Sequence, residues 1–83
     1  MTPDEKLTKF HWCCQMIVDD QDKPALNWAV DRAMKGLKCT DPEEIHQRCL
    51  YIIGNMTHWR GPIASEVKDT INYLIKNTRL HMR

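Results

Sequence analysis

Two copies of one spacing, His-x-x-Cys, are the residues of this chain best suited to chemistry. His11 and Cys14 stand three apart, as do His46 and Cys49, and residues three apart on a helix share a face. Two such helices packed together present two imidazoles and two thiolates, a set that zinc accepts tetrahedrally. The competing reading makes Cys14 and Cys49 small core residues, since reduced cysteine is among the most buried residue types, and leaves His11 and His46 at stripe edges. Zinc modules commonly hold their ligands on tight turns rather than in mid-helix. A zinc-stabilised module therefore ranks below the readings that follow, and no cofactor is expected. Cys13-Cys14 is an adjacent pair, about 100° apart on a helix, and lacks the Cys-x-x-Cys spacing of a dithiol site. Cys39 closes a predicted helix and is the thiol expected to be most accessible.

A second kind of chemistry is recognition. Trp12 and Met16 form an i,i+4 pair that points away from the apolar stripe of Leu7, Phe10, Cys14, Ile17 and Val18. Trp28 lies across from the stripe of Leu26, Ala29, Val30, Ala33 and Leu37, beside Arg32 and Lys35. Large apolar side chains outside a core stripe mark either a second packing layer or a partner surface. The Trp12/Met16 patch suits a homodimer, because one apolar patch pairs with itself across a twofold axis. Trp28 with Arg32, Lys35 and Lys38 suits an acidic protein surface or stacking on bases, against the simpler reading of solvated charge. Trp59 beside Arg60 joins two residue types enriched at binding hot spots; the alternative is that Trp59 folds back to plug one end of the bundle.

Other patterns are weaker. Val67, Thr70, Ile71, Leu74 and Ile75 have the rhythm of a recognition helix exposing Ser65, Lys68, Asp69 and Asn72, but Glu66 and Asp69 would face phosphates. Asp19, Asp20 and Asp22 lack the spacing, glycine and terminal glutamate of a calcium loop. Lys76, Arg79, His81 and Arg83 form a basic tail that suits a helix C-terminus.

The elements positioning these residues read as four helices, at about 3–19, 24–38, 41–55 and 62–77. Thr2-Pro3-Asp4-Glu5 is a helix start with Thr2 as N-cap and Glu5 completing a capping box. Thr40-Asp41-Pro42-Glu43 repeats the device, with Thr40 expected to cap. Pro24 opens the second helix, and Gly61-Pro62 follows the longest irregular connection. No segment alternates as a half-buried strand does. The third helix is apolar over a wide arc, Ile45, Cys49, Leu50, Ile52, Ile53 and Met56, and is expected to be central. The fold class is therefore all-α, a compact bundle of four helices in a single domain, 1–83.

Composition bounds the function. Twelve Lys and Arg against 11 Asp and Glu among 83 residues argue against a dedicated nucleic-acid binder, which shows a basic excess. No apolar run approaches the ~20 residues of a membrane helix, and the first residues lack the pattern of an export signal. A cytoplasmic protein with reduced thiols is expected. The leading expectation is a small non-enzymatic interaction protein that binds another protein or macromolecule through Trp12, Met16, Trp28, Arg32, Lys35, Trp59 and Arg60, and that self-associates. Stand-alone helical proteins of this size include accessory and inhibitor proteins of phages and mobile elements, a class suggested by size alone. The alternatives are a nucleic-acid-binding helical protein and a zinc-stabilised module through His11, Cys14, His46 and Cys49.

Overall fold

Thr2 and Glu5 start the first helix by satisfying each other's backbone. The Thr2 hydroxyl accepts from the Glu5 amide at 3.2 Å, and the Glu5 carboxylate accepts from the Thr2 amide at 2.9 Å. Two of the orphan donors of a helix N-terminus are thereby used. The computed structural model describes residues 2–78. Within them α1 (Pro3–Asp19), α2 (Asn27–Leu37), α3 (Ile45–Gly54) and α4 (Pro62–Thr78) form an all-α bundle, with no strand among the described residues. Arg79, His81 and Arg83 of the basic tail lie outside them, while Lys76 sits in the last turn of α4.

The second and third predicted helices each begin as a short 3₁₀ turn, Pro24–Leu26 and Pro42–Glu44, before α2 and α3. This corrects the expected cap at Thr40. The carboxylate of Asp41 accepts from the Glu43 amide at 2.9 Å, so the cap stands one residue later and no second capping box forms. Glu44 and Arg48 then pair at 2.8 Å across one turn. Gly61 has φ +117°, a conformation that only glycine adopts cheaply, and it turns the chain into α4.

Helices α1 and α3 each pack against all of the other three, so α1 shares the central place expected of α3, and its Phe10, Cys13, Cys14 and Ile17 are buried completely. On α3, Ile45, Cys49 and Ile52 are buried while Leu50 is 44% exposed, so its apolar arc is broader than its buried one. Leu26, Ala29 and Ala33 of the second segment and Val67, Ile71 and Leu74 of α4 complete the core as expected, joined by Met56 and Ala64. At Gly36 α2 lies close against α1: an ideal methyl there would lie 2.6 Å from the Cys14 sulfur and 2.9 Å from Cζ of Phe10.

Candidate functional site

The four residues of the doubled His-x-x-Cys do not form one group: the Cys14 and Cys49 thiols are neighbours, but the two imidazoles are engaged elsewhere. His11 Nε2 donates to the carbonyl of Cys39 at 2.7 Å, and His46 Nδ1 donates to the carbonyl of Ile75 at 3.1 Å. A carbonyl only accepts, so Nε2 of His11 and Nδ1 of His46 each carry a proton. Thr78 Oγ1 donates to the Leu74 carbonyl at 2.6 Å and lies 3.3 Å from His46 Nδ1 as a second acceptor. Cys14 and Cys49 are fully buried, and burial pushes both thiols up to about 12. Among the described residues no three His, Cys, Asp or Glu side chains are arranged to hold a metal ion. The zinc reading of His11, Cys14, His46 and Cys49 is thereby corrected: imidazoles lock backbone between elements, and thiols fill the core.

Cys39 is also corrected. Only 4% of it is exposed, and its sulfur donates to the Asp41 carbonyl at 3.4 Å. Cys13, absent from the predicted stripe, is buried with its sulfur 4.0 Å from the Val67 carbonyl. Burial raises the Cys13 thiol as well.

Trp59 is a core residue, 3% exposed, and leaves the set of candidate contact residues. Its indole donates to an Asp20 carboxylate oxygen at 2.8 Å, and its carbonyl accepts from Lys68 Nζ at 2.7 Å. The indole plugs one end of the bundle, and Lys68, read as an exposed base on a recognition helix, is tied to that plug. The indole bond first, then Lys23 at 3.1 Å, holds the Asp20 carboxyl below its ordinary range. A depressed carboxylate stabilises the fold above the ordinary carboxylate value and loses that contribution as pH falls through the folded value. Trp59→Phe keeps most of the packing and removes the bond, so urea melts should show a less stable variant at neutral pH. The gap should narrow in acid; a constant gap would mean that packing alone separates the two proteins. Arg60 stays exposed and borders a recess with Ser65 and Lys68.

The outward aromatic residues differ from one another. Trp12 is 36% exposed, and Met16 packs half-buried against the core. The pair is a shoulder of the core more than a free patch. Trp28 is 78% exposed, the largest value among the exposed apolar side chains. One turn later, Arg32 lies over the Tyr51 ring of α3, 4.7 Å from its centroid. A guanidinium on an aromatic face gains a cation–π contact and keeps its N–H donors free at the edge. Lys35 pairs with Asp31 at 3.4 Å.

Arg32, Arg48 and Tyr51, with Glu43, Glu44 and Gln47, line a shallow cleft of about 430 Å³ between α2 and α3. Tyr51 and Arg48 were missed by the sequence reading. The available signal was their shared spacing: three apart, they lie on one flank of the buried arc of Ile45, Cys49 and Ile52.

Among comparisons with known proteins, no family model, no curated protein and no solved structure matches the chain. No helix among the described residues is long and apolar enough to cross a membrane.

Proposed function

We propose that this chain is a small non-enzymatic interaction protein whose contact surface is the α2–α3 face, and that it docks there onto another protein. The observation that carries the reading is Trp28, 78% exposed on a helix and one turn from an arginine already stacked on Tyr51. Tryptophan, arginine and tyrosine contribute most per residue at protein interfaces, and side chains held in place before contact lose less entropy on binding. Charge supports a protein over a nucleic acid as the partner. Lys35 and Arg48 are paired within the chain to Asp31 and Glu44, which leaves little net charge to neutralise phosphates. A binding rather than catalytic role is supported by the chemistry-bearing groups brought inside: Cys13, Cys14 and Cys49 are buried and held protonated, and the imidazoles of His11 and His46 are committed to carbonyls.

The test is affinity capture from cells that make the protein, after nuclease treatment and in high salt, with identification by mass spectrometry. The wild type should retain a partner protein that Trp28→Ser with Arg32→Glu loses by about tenfold or more. A partner kept undiminished by the double variant would place the contact elsewhere. Binding that nuclease abolishes and that falls steeply with salt would assign a nucleic acid instead.

A further inference from the structure

The four cysteines are all reduced and all belong to one core, and three of them come from three different elements. Cys14 lies on α1, Cys49 on α3, and Cys39 in the connection that follows α2. Backbone contacts fix Cys39 beside Cys14. Its amide donates to the Gly36 carbonyl at 3.0 Å. Gly36 in turn is the residue whose missing side chain makes room for the Cys14 sulfur, 2.6 Å from where a methyl would stand. The Cys39 carbonyl accepts from His11 Nε2 at 2.7 Å, and His11 shares one face of α1 with Cys14, a turn away. Cys39 is thus pinned through both its amide and its carbonyl to the stretch of α1 that carries Cys14. After burial itself, Cys39 is the neighbour that raises the Cys14 thiol most.

The two thiols differ in their surroundings. Cys14 is fully buried, whereas Cys39 keeps 4% of its surface exposed and alone of the four reaches solvent. The Arg48 guanidinium lies beside its sulfur, at the edge of the α2–α3 cleft. An outermost thiol next to a cation, with a second thiol behind it, is the arrangement in which peroxide oxidises one cysteine and the other resolves it.

We infer that Cys39 and Cys14 form a peroxide-responsive pair, in which a hydroperoxide oxidises Cys39 beside Arg48 and Cys14 then closes a disulfide. This goes beyond the reading of α2–α3 as a contact face and does not depend on it. In the first step the Cys39 sulfur attacks a peroxide oxygen. The S–O bond forms as the O–O bond breaks, sulfur is oxidised to the sulfenic acid, and the peroxide leaves as an alcohol, or as water from hydrogen peroxide, carrying the thiol proton. The Arg48 charge favours the negative charge that passes from sulfur to the departing oxygen. In the second step the Cys14 sulfur attacks that of Cys39. The S–S bond forms, the S–O bond breaks, and the hydroxyl leaves with the Cys14 proton as water. Two thiols and one hydroperoxide thus become a disulfide, an alcohol and water.

The experiment treats the folded chain with hydrogen peroxide at neutral pH, alkylates the remaining thiols after denaturation, and reads the peptides by mass spectrometry. The wild type should pass from four free thiols to two, with the Cys39 and Cys14 peptides joined and released again by dithiothreitol. Cys39→Ser should keep its remaining thiols free under the same treatment. Cys14→Ser should stop at the sulfenic acid of Cys39, which dimedone captures. Arg48→Gln should form the bridge about fivefold or more slowly. Circular dichroism confirms that each variant keeps its helices; if Cys14→Ser does not fold, the joined peptides of the wild type decide alone. A Cys39 that stays reduced, that ends as sulfinic acid with Cys14 free, or that bridges to Cys13, Cys49 or another chain overturns the pair. A bridge that forms at the wild-type rate in Arg48→Gln overturns the part assigned to Arg48.

Discussion

Raising the pH from neutrality to about 10.5 is expected to remove on the order of 4 kcal/mol of stability through Cys14 and Cys49 alone. Both thiols are pushed from 9.0 up to about 12, first by burial and then by neighbouring thiols. The folded state therefore keeps protons that the unfolded chain releases. Stability is fully present below the unfolded value near 9 and is lost as pH climbs toward the folded value, at a limiting slope of about 1.4 kcal/mol per pH unit for each thiol. Cys13 acts in the same direction. A domain of this size has a total stability of roughly 4–12 kcal/mol, so the loss is a large fraction of the whole. Urea midpoints measured at neutral pH and at about pH 10.5 give the slope. Cys14→Ala and Cys49→Ala, each less stable at neutrality because of the volume removed, should flatten it. An unchanged slope in both variants would assign alkaline unfolding to other groups.

Gly36→Ala is expected to destabilise the fold by up to about 2 kcal/mol, although alanine is the better helix former. Propensity favours the substitution by about 1 kcal/mol. Against that, the new methyl would stand 2.6 Å from the Cys14 sulfur and 2.9 Å from the Phe10 ring. Cys14 and Phe10 are fully buried, so neither can swing into solvent. The remaining relief is for α2 to move off α1, and overpacking of this kind costs about 1–3 kcal/mol or more. Packing wins over propensity. The check is a double-mutant cycle in urea: Gly36→Ala in a Cys14→Ala background should cost at least 1 kcal/mol less than in the wild type, since the sulfur nearest the methyl is gone. Additive effects would show that α2 yields elsewhere.

The parts of this architecture legible in the sequence are those fixed within a turn or two of chain. Thr2, Pro3 and Glu5 specify their own capping box locally, and the structure forms it. The four helical segments follow from the recurrence of apolar residues, since each stripe had to be buried somewhere. Thr40 against Asp41 shows the first limit. Either side chain can cap, and the 3₁₀ turn at Pro42 selects the later one, a choice periodicity does not contain. Cys13 shows the second: it falls outside a single stripe, yet α1 is covered on several sides at once, so the buried arc is wider than any one contact requires. The site obeys the same division. Trp28 and Arg32 were readable as outward residues because they oppose their own helix's stripe. The partner of Arg32, Tyr51 of α3, belongs to another segment and is brought near only by packing. The histidine and cysteine spacing is a true local regularity that brings only the Cys14 and Cys49 thiols near each other, since each imidazole finds a carbonyl on a different element.

The bond between Trp59 and Asp20 bears on where this chain can accept foreign sequence. Among the described residues, 55–61 form the one connection between successive α-helices without a 3₁₀ turn, and irregular surface segments are the usual places for a graft or a tag. Here the segment is a fastening. Its indole fills the core, and the carbonyls of Thr57 and Trp59 accept from Lys68. An insertion there would pull on α1 and α4 together. The exposed pair Gln21 and Asp22, whose side chains make no hydrogen bond among the described residues, can be separated with less disturbance, provided that Asp20 on one side keeps its tryptophan. The most ordinary-looking turn is thus the better port of entry, and the loosest-looking one is the latch.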